Sequence, residues 1–212
     1  GVASTRLGMK GIPNLSEEIA VHRNLEILKY AGGKLHLQTI STKGAVDKIR
    51  EAKKEGLNVT ADVSLYQLLF SDEDMASFDT NLKVMPPFRG KEDRKALIKG
   101  LKDGTIDAIV SNHQPQDFDS KFMEFDLAAF GMAGLQTFLP GMVKLAEELG
   151  VKFQYDTAVT AINIHAGRAG SVNTEEGTLF ADIIIAGADY NHVEQELIPK
   201  PYRKYNESYW DS

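Results

Sequence analysis

The chain has 212 residues, no cysteine, a formal net charge of −6 and a hydrophobic fraction of 42%, all ordinary for a water-soluble globular chain. Mildly acidic, interspersed charge gives nucleic acid and anionic membranes little to bind. Lack of Cys excludes disulfides and thiolate metal sites. No apolar run approaches the roughly 20 residues that a bilayer requires, and no basic and apolar leader opens the chain, so a cytoplasmic protein is expected. The first residue is Gly1 rather than Met, which suits a piece of something longer.

In chain order, a helix capped by Ser16 runs through Ile19, Leu25 and Leu28 to Gly32-Gly33, and gives the strand "KLHLQTI". Ser41 or Thr42 can cap a second helix, with Ala45, Val46, Ile49 and Ala52 at helical spacing. Gly56 stops it before "LNVTADVSL". A third helix, "KEDRKALIKGLKDG", carries Leu97, Ile98 and Leu101 to Gly104 and the strand "TIDAIVSN". A fourth, "MVKLAEELG", leads into "VKFQYDTAV". Glycine closes each helix because it tolerates the left-handed conformation.

Helices alternating with short apolar strands predict crossover units and a parallel sheet, so the fold class is α/β. Ligands of such sheets sit at the C-terminal ends of the strands. The informative positions are therefore Gln38 to Ser41, Ser64 to Gln67 and Ser111 to Gln114. The stretch after about residue 140 is different: strand-like runs joined by "HAGRAG" and "EEG" predict hairpins and a small α+β segment. Two domains, 1–140 and 141–212, are expected.

Several phrases of the first part carry a resemblance. "GIP" before an acidic helix, a strand closing on "IST", "PPFR" followed by "ED", "LKDGTID" before a strand and "H-x-P", and "FGMAGLQTFLP" together resemble the C-terminal half of dihydroorotases of the amidohydrolase superfamily. The resemblance implies half of a (β/α)8 barrel. Its active members hold zinc at the strand ends, activate a water, and open or close the cyclic amide of dihydroorotate. Where that family has a metal-binding His, this chain has Thr39; where it has a pair of histidines, Tyr66 and Gln67; where an Asn holds substrate, Met85. The family's catalytic Asp is here Asn112, followed by His113, and Arg89 of "PPFR" is a candidate substrate contact. Amides take up no proton near neutral pH, and Thr, Tyr and Gln are poor zinc ligands. The resemblance therefore implies a non-catalytic dihydroorotase-like protein that holds no metal, with aspartate carbamoyltransferase or a second copy of itself as partner.

A second resemblance covers about 141–212: "GMVKLAEELGVKFQYDTAVTAI", "GADYNHVEQELIP" and "YRKYNESYW" look like an internal segment of FAD-dependent phytoene desaturases. It implies Val159 beside the adenine end of FAD. The glycine-rich turn that grips pyrophosphate is absent, and "GMAGLQ", with Gly131 and Gly134, has the wrong spacing for it, so FAD is not expected to bind. Three readings remain open at this point: a silent scaffold, a contributor to a desaturase, and a chimera of two gene fragments.

The blander readings apply elsewhere. His36 lies early in its strand, His22 on a polar helix, His165 in a turn, and His192 has no visible second ligand. Asp62 is expected on a solvated face or in a salt bridge, and the Phe and Met residues of "MEFDLAAFGM" and "FLPGM" in core.

Overall fold

The computed structural model describes residues 2–205 and 207–210. The chain forms two compact units, Gly1–Val151 and Lys152–Ser212. The division falls later than the sequence boundary at 140, because one helix, Leu135–Glu148, runs straight through Pro140 and Gly141.

The first unit holds helices α1 (Val2–Arg6), α2 (Asn14–Ala31), α3 (Lys43–Lys54), α4 (Leu65–Leu69), α5 (Lys91–Lys102), α6 (Phe118–Lys121) and α7 (Leu135–Glu148). Strands β1 (Leu35–Leu37), β2 (Val59–Ser64) and β3 (Ala108–Val110) make a parallel sheet in that order. The helices on one of its faces pack in the same sequence, α2 on α3 and α3 on α5. The α/β expectation holds, and the arrangement is that of a partial barrel.

The core forms where sequence periodicity places it. Ala45, Val46, Ile49 and Ala52 of α3 are all buried, meeting Val59, Ala61 and Val63 of β2 and Leu97 of α5. Burial of each Val, Ile or Leu among these stabilises the unit by about 1.5–3 kcal/mol relative to exposure, and each Ala methyl by less. Thr42 caps α3, accepting from the Ala45 N–H at 3.2 Å. Ser16 is not the cap of α2: the helix begins at Asn14, and the Ser16 hydroxyl instead donates to Pro13 O at 2.7 Å. Pro13 fixes an extended entry three residues earlier than a hydroxyl search suggests.

The second unit is a meander of β4 (Val159–His165), β5 (Arg168–Thr174) and β6 (Gly177–Phe180), antiparallel throughout. The predicted turns are present, with Ala166, Gly167 and Gly177 at positive φ. Ile162 packs with Val193 and Leu197, which lie in a turn of π-helix, Val193–Leu197. Residues 151–158, expected as a strand, are not one; Phe153 and Tyr155 stack on each other with ring centroids 6.0 Å apart. His165 closes β4 rather than sitting in a turn. Among the described residues, no helix is long and apolar enough to cross a membrane.

Candidate functional site

The ends of the three parallel strands bring together most of the positions singled out from sequence, and these are already bonded to one another or to backbone. The Asn112 amide Nδ2 donates to Tyr66 Oη and, at 3.4 Å, to Met85 O. Gln67 Nε2 donates to Pro86 O (2.8 Å) and Pro87 O (3.2 Å), so the loop that carries Met85 is laced onto α4. The Tyr66 ring meets Phe88 edge to face, with centroids 5.8 Å apart. Burial pushes the Tyr66 phenol up from its ordinary value, which keeps it a neutral donor and acceptor.

Thr39 and Asn112 both have positive φ, 49° and 41°. A β-branched Thr resists that conformation, and here a side chain holds it. Asp62 Oδ1 accepts from the Thr39 N–H at 2.6 Å, while its Oδ2 takes His36 Nε2 at 2.8 Å. His36 Nδ1 in turn meets Thr60 Oγ1 at 2.8 Å. The solvated face expected as one alternative for Asp62 is overturned, since the residue is buried and both its carboxylate oxygens are hydrogen-bonded. His36, set aside on sequence, belongs to this network because cross-strand neighbours β1 and β2 place His36 opposite Thr60.

His113 points elsewhere: its Nδ1 accepts from the Leu135 N–H at 3.2 Å, at the start of α7. Two glycines make that approach possible. A Cβ at Gly134 would stand 2.4 Å from Ser111 O, and one at Gly131 would stand 2.3 Å from Gln114 O. Both glycines of "GMAGLQ" are thus packing positions against strand-end backbone. Val159, the candidate FAD contact, opens β4 opposite Thr174.

Arg89 is buried but does not point free into solvent. Its Nε donates to Ser41 Oγ at 3.0 Å and its Nη1 to Ile12 O at 2.6 Å, with Glu17 Oε2 at 3.7 Å from Nη2. Burial lowers its pKa, opposed by the Glu17 charge. Sequence reasoning missed Glu17 altogether, although an acid in the first turn of the helix after "GIP" was its signature. Beside this group a cleft of ≈ 760 Å³ opens, walled by Met9, Met75, Phe88, Phe125 and Phe130. At its edge Lys83 donates to Phe125 O (2.8 Å) and Asp126 O (2.9 Å).

Zinc asks for imidazole, thiolate or carboxylate ligands. Of Thr39, Tyr66, Gln67, Asn112 and His113, only His113 offers one. Among the described residues no three His, Cys, Asp or Glu side chains converge as a metal site. The strand ends present here do not fit the metal.

The comparisons bear on the fold and the family. A dihydroorotase of Thermoanaerobacter sp. (strain X514) is 38% identical over 212 residues, which is 97% of this chain and 44% of the relative. Another, from Caldanaerobacter subterraneus subsp. tengcongensis, is 50% identical over 137 residues, 65% of this chain and 32% of the relative. The chain is dihydroorotase-like. It spans less than half the length of either relative.

Among solved structures, this dihydroorotase-like chain is similar to the L-hydantoinase (dihydropyrimidinase) of Arthrobacter aurescens, at 29% identity and a TM-score of 0.61. That match covers 65% of this chain and 31% of the hydantoinase. A dihydropyrimidinase of Brevibacillus agri NCHU1002 shares the fold, with a TM-score of 0.60 at 22% identity. No protein-family model matches the chain. The alignment over 97% of the chain carries the dihydroorotase similarity well into 141–212, and the phytoene desaturase resemblance of that stretch finds no support from these relatives.

Proposed function

We propose that the chain is a catalytically silent dihydroorotase-like protein whose role is to scaffold or bind a partner, with a carbamoyltransferase as the first partner to test. The observation that carries this reading is the state of the strand ends. Asn112, Tyr66 and Gln67 spend their polar atoms on one another and on the backbone of the loop at 85–87, and His113 accepts from backbone. Opening a cyclic amide needs an activated water and a group that takes up and returns a proton. An amide does neither near neutral pH.

The reading is tested by incubating the purified chain with dihydroorotate and excess zinc. No ring opening above the buffer rate is expected, with less than a tenth of an equivalent of retained metal. Turnover that disappears with His113→Ala would overturn the reading. A stable complex with aspartate carbamoyltransferase in sedimentation would support the scaffold role, and no complex would remove that partner.

A further inference from the structure

Glu194 stands in the turn Val193–Leu197 of the second unit, between Val193 and a partly buried Gln195, and only 2% of it is exposed. A carboxylate persists in such a place only where donors meet it. Here they are the backbone N–H groups of Lys204 and, at 2.8 Å, of Tyr205, both donating to Oε1. Lys204 and Tyr205 lie in no helix or strand, so this carboxylate gives them the acceptor that regular structure gives elsewhere. Arg203, one residue earlier, is tied to the same turn by other means. Its Nε donates to Ile198 O at 2.9 Å, its Nη1 to Gln195 Oε1 at 3.0 Å and its Nη2 to Gln195 O. A guanidinium stays charged in proteins. The attachment at Arg203 is therefore permanent, and the one beside it hangs on a group that acid neutralises.

We propose that Glu194 is an acid-sensitive latch: charged, it holds the stretch Lys204–Trp210 on the second unit, and protonated, it lets that stretch swing away about Arg203. Hydrogen bonds to an ionised acceptor are about twice as strong as those to a neutral one, so protonation weakens both contacts together. The polar groups around the carboxylate are the Tyr190 hydroxyl and Lys204, whose Nζ stands 5.3 Å from the centroid of the Tyr205 ring. On its other side the turn meets β4 through Ile162 and Ile164, while His192 and Glu196 of its own stretch face solvent. Burial pushes the Glu194 carboxyl up, but the Tyr205 N–H, the Tyr190 hydroxyl and the N–H and charge of Lys204 outweigh it and hold it below the ordinary range. A depressed carboxyl contributes in full above the unfolded value, about 4.3 for Glu, and its contribution is lost as pH falls further.

The released stretch carries Tyr205, Tyr209 and Trp210, and Trp210 is the one tryptophan of the chain. Its ring lies 5.7 Å from that of Tyr190 and 6.1 Å from that of Tyr205, so its emission reports the latch. On acidification of the full chain, emission should shift to the red in a reversible step with its midpoint below about pH 4.3. Glu194→Gln, which keeps the shape and removes the charge, should be shifted already at pH 7 and show no acid step. In hydrogen exchange at pH 7 its Lys204 and Tyr205 amides should exchange at least tenfold faster than in the unaltered chain, with β4 to β6 as protected as before. Tyr190→Phe should move the acid midpoint upward without loosening the stretch at pH 7, and Glu196→Gln, on the exposed side of the turn, should change neither. Equal protection of Lys204 and Tyr205 in Glu194→Gln, an acid step that survives in that variant, or no acid step in the unaltered chain would each overturn the proposal. So would loss of β4 to β6 protection along with the stretch, since the carboxylate would then hold the whole unit rather than a latch. All of these readouts lie in the second unit and are independent of chemistry at the strand ends.

Discussion

Glu17 stands on α2, yet its carboxylate accepts from the backbone N–H groups of Ser41 (2.8 Å) and Thr42 (3.0 Å), and from the Ser41 hydroxyl. It thereby anchors the end of β1, the start of α3 and the Arg89 guanidinium at once. Hydrogen bonds to a charged group contribute about 1.5–3 kcal/mol each when buried, and these share one partner, so they do not add. Glu17→Gln keeps the shape and removes the charge. It should destabilise the first unit by about 2 kcal/mol, seen as a lower denaturant midpoint in urea, with Arg89 left buried beside a neutral amide. An unchanged midpoint would mean that the carboxylate only decorates the strand end. Tyr66, Asn112 and Gln67 were singled out as strand-end positions from the resemblance. Their bonding to each other was not legible, because it depends on which atoms of distant loops meet.

At the scale of elements, the close passage of residues 131–135 over the end of β3 is what turns His113 toward α7. Gln114 N donates to Met132 O at 3.0 Å, and neither Gly131 nor Gly134 leaves room for a side chain. Gly134→Ala should cost about 2 kcal/mol or more, since the clash is with backbone that cannot rotate away. It should also release the Leu135 amide to faster hydrogen exchange. Unaltered stability would show that this segment can lift off the strand end without loss. Helices α3 and α5 were readable in sequence because their apolar positions keep the helical period and their last turns end at Gly56 and Gly104, both at positive φ. Residues 151–158 misled because alternating apolar and polar residues make a strand only if a neighbour supplies hydrogen bonds.

At the scale of the whole molecule, the two compact units have separate cores, one around Ile49, Val63 and Leu97 and one around Ile162, Val193 and Leu197. A chain ended at Val151 should therefore keep the helical circular dichroism and the melting midpoint of the first unit to within about 3 °C. Collapse of that signal on truncation would show that the first core is incomplete without the second unit. The sequence by itself determined the α/β class, the order of the crossover units, the hairpins of the last stretch and the chemical types standing at the strand ends, because all of these are local: period, punctuation and residue identity. Only the tertiary structure decided that Glu17 and Asp62 brace those strand ends, that Gly131 and Gly134 are packing residues, and that the unit boundary follows α7. Each of these depends on contacts between residues far apart in the chain, which no window of sequence contains.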